Sequence, residues 1–192
     1  DRLLPLYLLE SSNSSEKLTT LKEYMGRMKE GQSAIYYLTG PSPAAVKNSP
    51  HLEAFTAKGY EVLFMTDLVD EILVQSIPEF DGKKLKSVAK GIADLGERPD
   101  LMEKAAEYKK LINLLEEKLE DRVKEVRLSA RLTSSPACLV VADEDVSPNF
   151  ERMMNQAKGE DRKQRRIMEL NPDHEIIVKM LDRFDDPALE DM

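Results

Sequence analysis

Apolar and polar positions change period several times along the chain, and each change marks an element. From Leu18 to Met28 the apolar residues Leu18, Leu21, Met25 and Met28 recur at three and four residues, the spacing of one helix face, and Gly31 is placed to stop that helix. Ile35–Thr39 and Val62–Thr66 are short β-branched or aromatic runs, and Ser49-Pro50 between them offers an N-cap followed by proline at the first helical position. This is a strand-helix-strand unit. It predicts a parallel pair with a right-handed crossover, and the unbroken apolar character of both strands predicts helices on both faces. Residues from about 30 to 90 therefore read as a small α/β/α three-layer domain.

Gly91 to Pro99 mixes glycine, proline and charge, which places a domain boundary there and divides the chain into 1–96 and 97–192. The second part opens with a long helix: Leu101, Ala105, Tyr108, Ile112, Leu115 and Leu119 form an apolar seam flanked by Glu and Lys. The seam is too short for an isolated coiled coil and predicts a core-packing helix. Val126, Leu128, Ala130 and Leu132 alternate with Arg127, Ser129 and Arg131, the period of a half-buried strand, with Ala137–Val141 as its more central neighbour. Met168 and Leu170 flank Glu169 as a third short strand, and Ile176, Ile177, Met180, Leu181 and Phe184 make an amphipathic helix. The second part is thus α+β, with a short three-stranded sheet. Ser11–Ser15 reads as an exposed loop.

A length of 192 residues accommodates two small domains, each with a core. The net charge of -8 repels phosphate backbones, which disfavours nucleic acid and anionic membranes as partners. The lone Cys138 sits in an apolar run and suits a reducing compartment, so the cytoplasm is expected. No stretch approaches the ~18 apolar residues of a membrane span. The chain starts without Met and ends at Asp185–Met192 just after a helical pattern, so we expect a piece of a longer protein.

Chemistry is sparse. One Cys and two distant histidines, His51 and His174, offer no metal-ligand spacing, and the glycine-rich phosphate loops and the nucleophile elbow are missing from the sequence. Thr39, Thr66 and Asp67 end the two parallel strands, where open α/β sheets bind ligands, and they carry the alternative reading as a small α/β enzyme. Asn171-Pro172-Asp173-His174 reads as a strand end and a helix start, with Asn171 or Asp173 capping. Lys158, Arg162, Lys163, Arg165 and Arg166 are basic, but Glu160 and Asp161 interrupt them and no aromatic is interleaved for base stacking.

One stripe stands out. Ser147 is an N-cap, Pro148 fits the first helical position, and Val146, Phe150, Met153, Met154 and Ala157 then share one face of a short helix. Two readings stand here: a core-facing stripe, or an adaptable thioether and aromatic surface for apolar partners. Burying Phe150, Met153 and Met154 would yield about 1.5–3 kcal/mol each, against an association cost of about 4–15 kcal/mol. Such a patch alone binds weakly, so useful affinity needs further surfaces or a second copy nearby.

The segments 23–32, 35–40, 49–53 and 79–83 resemble the end of the middle domain of the heat-shock protein 90 chaperone family, bacterial high-temperature protein G branch. Segments 127–133, 135–137, 149–154 and 169–174 are similar to its C-terminal domain. The resemblance implies a homodimeric, ATP-driven chaperone that grips unfolded or partly folded client proteins. It puts ATP and Mg in an N-terminal domain upstream of Asp1, so the chain itself is expected to hold no cofactor and to carry no catalytic residue. It also puts a client-contacting helix on Val146–Ala157, with Val146, Phe150, Met153 and Met154 as contacts. The family's last dimer helices would follow the helix containing Ile176–Phe184, so dimerisation of this piece is expected to be weak or absent. A passive dimerisation scaffold is the further alternative.

Overall fold

The computed structural model describes residues 4–91, 95, 98–159 and 163–183. β1 (Leu9–Ser11) and β2 (Ser14–Thr19) form a hairpin, followed by α1 (Leu21–Gly26), β3 (Ile35–Thr39), α2 (Pro43–Lys47), α3 (Glu53–Ala57) and β4 (Val62–Met65). α4 (Leu68–Ser76), β5 (Glu79–Phe80) and β6 (Lys83–Ser87) complete a six-stranded sheet ordered β2-β1-β4-β3-β6-β5. The centre is parallel, with Tyr36 opposite Val62 and Ile35 opposite Leu85, and the outer pairs are antiparallel. Side chains alternate between faces. Tyr36, Leu38, Val62 and Phe64 join Val46 and Phe55 in one core, while Ile35, Tyr37, Leu63 and Met65 join Leu21 and Tyr24 in the other. Helices therefore cover both faces, as the apolar strands predict.

α5 (Pro99–Lys118), β7 (Val123–Leu128), β8 (Ala137–Val140), α6 (Pro148–Lys158), β9 (Arg166–Leu170) and α7 (Glu175–Asp182) build a three-stranded sheet, ordered β7-β9-β8, and its helices. Tyr108 and Leu111 of α5 and Ile177 of α7 pack on Val123, Val126 and Leu170. The Tyr108 hydroxyl donates to the Pro172 carbonyl at 2.7 Å. On the sheet's other face Cys138 lies with Leu132, Val140, Ala142 and Ile167. Burial, then the Glu169 charge, pushes its thiol up to about 12, so it stays protonated.

Several expectations need correction. The first helix starts at Leu21, not Leu18, because Thr20 and Glu23 form a capping box: the Glu23 N–H donates to Thr20 Oγ1 at 3.2 Å and the Thr20 N–H to Glu23 Oε2 at 2.9 Å. It ends at Gly26, and Gly31 lies in the turn beyond, at φ 79°. The serine-rich stretch is not a loop but a hairpin, held because β1 also pairs with β4 and the Val62 N–H donates to Ser12 Oγ at 2.9 Å. β7 stops at Leu128, because Ser129 Oγ accepts the N–H groups of Arg131 and Leu132, both at 3.2 Å, and turns the chain. Ala137–Val140 is an edge strand, and Arg166–Leu170 is the centre. His174, not Asn171 or Asp173, caps α7, its Nδ1 accepting the Ile176 N–H at 3.1 Å. Ile176, placed on the inner face by its spacing, is 53% exposed.

The two sheets meet along a polar joint. Gly91 and Val141 are linked backbone to backbone at 2.9 Å, and Val141 to Ala89 at 2.8 Å. The Glu53 carboxylate at the start of α3 accepts the N–H groups of Thr133, Ser134 and Ser135 at 2.6, 2.7 and 3.1 Å. Leu95 packs on the first core, whereas Ile92, Ala93, Asp94, Gly96 and Glu97 of the expected linker lie outside the described residues, as does Phe184.

Candidate functional site

α6 owes its position to both ends of its sequence. Ser147 Oγ accepts the Phe150 N–H at 3.1 Å, Pro148 occupies the first turn, and Gly159 closes the helix at φ 66°. Its polar side is tethered to the start of β9, where Glu151 forms an ion pair with Arg166. The Arg165 guanidinium donates to the Glu120 carbonyl at 2.7 Å, so part of the basic stretch is committed within the chain; Arg162, Glu160 and Asp161 lie outside the described residues.

No described residue of α6 is buried. Phe150 and Met153 are half-buried, Met154 is 37% exposed, and Val146, just before the cap, is half-buried. None of the four belongs to, or packs against, the apolar cores described above. They are apolar side chains on one side of the helix, partly covered without joining a core, with Met154 the most open of them.

That face does not stand alone. α6 lies beside α4, and Ser147 Oγ donates to Glu71 Oε2 at 2.7 Å. On α4, Leu68, Val69 and Ile72 are 65%, 53% and 54% exposed. At 100° per residue Leu68 and Ile72 come next round the helix from Glu71, so their face borders the α6 contact. α4 thus sets exposed apolar side chains beside α6. The sequence carries only a partial signal for α4: five of its nine residues are apolar, but their period does not say which of them the fold leaves uncovered.

The strand-end residues fare differently. Thr39 lines a cavity of about 170 Å³ together with Ser49, His51, Ser87 and Lys90, but Thr66 and Asp67 do not line it. Asp67 instead starts α4, its N–H donating to Asp70 Oδ2 at 2.9 Å. Burial, then the nearby Arg131 charge, lowers His51 to about 4, and Lys90 is engaged with the Asp145 carbonyl at 2.6 Å. Thr39 lies opposite Met65, so Thr66 ends the neighbouring strand, but the three residues do not share that cavity. Among the described residues, no group of three or more His, Cys, Asp or Glu is placed to hold a metal, and no helix is long and apolar enough to cross a membrane.

The fold defines a two-sheet protein joined along a buried polar seam, with α4 of one sheet set beside α6 of the other. The chain belongs to the heat-shock protein 90 family: the family model described as "Hsp90 protein" matches residues 1–191. It is 50% identical over 186 residues to Chaperone protein HtpG of Mycobacterium leprae and 48% over 185 to that of Frankia casuarinae, covering 93% of this chain in each case. Chaperone protein HtpG of Nocardia farcinica is 45% identical over 192 residues, or 96% of this chain. The chain spans only 28–29% of the length of these relatives.

Proposed function

We propose that this chain is the client-binding and coupling portion of an ATP-driven cytoplasmic chaperone, with residues 1–96 ending its middle domain and 97–192 forming most of its C-terminal domain. The observation that carries this reading is α6, an amphipathic helix without a buried residue, set beside the exposed apolar face of α4. Val146, Phe150, Met153 and Met154 are the client contacts on one wall of an apolar groove, and Leu68 and Ile72 of α4 form the other. Completing the burial of these six side chains, at no more than about 1.5–3 kcal/mol each because three are already partly covered, offsets an association cost of about 4–15 kcal/mol. The grip is then firm enough to hold a non-native segment and weak enough to release it. Nucleotide, magnesium and the strong homodimer contacts belong to the rest of the longer protein, and this portion holds no cofactor and catalyses nothing by itself. The partners are unfolded or partly folded proteins, not nucleic acid or membranes.

Changing Phe150, Met153 and Met154 to Ser tests the reading. The variant is expected to lose suppression of aggregation of a heat-unfolded model protein while its circular dichroism and Tm stay close to the parent's. Full retention of suppression sinks the assignment.

A further inference from the structure

The groove has walls from two sheets: α4 follows β4 of the six-stranded sheet, and α6 follows β8 of the three-stranded one. Its width is therefore a property of the joint. At the centre of that joint Arg131 is 1% exposed, the largest side chain among those fully buried. Its Nε donates to Glu169 Oε2 at 2.8 Å, and its two terminal nitrogens reach the Val88 and Gly91 carbonyls. Val88 and Gly91 belong to the segment that leaves β6, whereas Glu169 sits on β9, so one guanidinium holds both sheets. Arg127 adds bonds of 2.8 Å to Glu169 Oε1 and to the Gly91 carbonyl, and Ser129 Oγ donates to Glu169 Oε2 at 2.7 Å. The Arg131 carbonyl in turn accepts the Ala54 N–H of α3 at 3.1 Å.

A buried ion pair is a poor source of net stability, since apolar residues of similar volume often serve as well; what it supplies is one permitted geometry. A planar fork fixed to acceptors on two bodies resists both sliding and rotation, which an apolar contact does not. We propose that Arg131 is a positioning residue that, through Glu169 and the Val88 and Gly91 carbonyls, sets the separation of α4 and α6 and thereby the grip of the groove on its client. This rests on the reading of the groove as the client site.

The test uses spin labels at the exposed positions Gln75 on α4 and Gln156 on α6 of the full chain, with the buried, protonated Cys138 left unlabelled. Arg131→Lys keeps the charge and loses the fork; the Arg131→Met/Glu169→Met pair removes the fully buried ion pair and leaves only the partly exposed Arg127, still bonded to the Gly91 carbonyl, without its carboxylate. Both are expected to broaden the distance distribution between the labels and to weaken client affinity by roughly tenfold, about 1.4 kcal/mol, while the Met pair keeps the parent's circular dichroism. An unchanged distribution in both variants overturns the proposal, and so does a broadened one with undiminished client affinity. The distance measurement needs no client: if the parent chain holds none, the groove's assigned role falls, and the widths still decide what Arg131 does.

Discussion

The joint and the groove are neighbours with opposite polarity rules. At the joint, charged groups are buried and their hydrogen bonds made: Glu169 is 3% exposed and accepts from Arg127, Ser129 and Arg131. In the groove, apolar groups are left open or only partly covered: Leu68 and Ile72 are more than half exposed, Met154 is 37% exposed, and no described residue of α6 is fully buried. Most proteins keep charge outside and apolar surface inside. On the proposed reading the joint is built for a fixed geometry and the groove for contact with a client, so substitutions in the two places are expected to separate stability from binding.

The largest effect is expected at the joint. Glu169→Leu leaves Arg131 buried against two carbonyls without its counter-charge, and breaking a buried pair by removing one partner costs about 3–5 kcal/mol. Urea unfolding of the parent and the variant measures it. A loss under about 1 kcal/mol, the scale of exposed pairs, would break the contrast, because the network would then behave like a surface one.

Glu53 tests the joint's other side. Burial opposes its charge, but the N–H groups of Ser134, Ser135 and Thr133 outweigh that and hold the carboxyl down to about 2. Its folded value lies below the unfolded one, so it stabilises above about pH 4.3 and that contribution is lost as pH falls towards 2. At neutral pH Glu53→Ala is expected to cost about 1.5–3 kcal/mol, the scale for hydrogen bonds to a charged group. Its Tm deficit against the parent should shrink between pH 5 and about 2, over the interval set by those two values. Glu169 is also held low, since the Arg131 charge and the hydrogen bonds of Arg131, Arg127 and Ser129 outweigh the opposing effect of burial. The parent itself should therefore lose stability in acid. A deficit that stays constant down to pH 2 would show that Glu53 acts through packing rather than charge.

Ser147 belongs to both regions, capping α6 while donating to Glu71 of α4. Ser147→Ala removes both bonds, and the loss of a cap costs about 1 kcal/mol. Hydrogen exchange sharpens the comparison here, with protection expected to fall at the first turn of α6 and to stay unchanged in β9.

How far these regions were legible follows from the range of the interactions that make them. Local signals sufficed for β3, β4, α5 and α6, where apolar period and caps lie within a few residues. The β1-β2 hairpin escaped because its partner, β4, is some fifty residues away and its own residues are mostly polar. The β5-β6 hairpin left a local mark, Asp81-Gly82 with both φ positive, which an Asp-Gly pair announces. The alternation that extended β7 to Leu132 misled because Arg131 points inward as part of an ion network, which hydrophobic period cannot express. Of the groove, the α6 wall was readable from its cap and stripe. The α4 wall was not, since exposure depends on what the rest of the fold leaves uncovered.

The smallest stability effect is expected from Met154→Ser alone. Met154 is 37% exposed and packs on none of the cores, so its replacement removes little that folding buries. Substitutions at such positions usually stay within about 0.5 kcal/mol of the parent. Its thioether nevertheless lies on the apolar side of α6, next to Met153 and one turn from Phe150, where a client would cover it. Client affinity is thus expected to drop more than stability does, with the loss mainly in the dissociation rate, as is usual for interface substitutions. Surface-immobilised unfolded protein and a stopped supply of chain would measure that rate directly. A variant whose Tm falls while its dissociation rate is unchanged would move Met154 from the groove to the packed part of the molecule and erase the contrast at its weakest point.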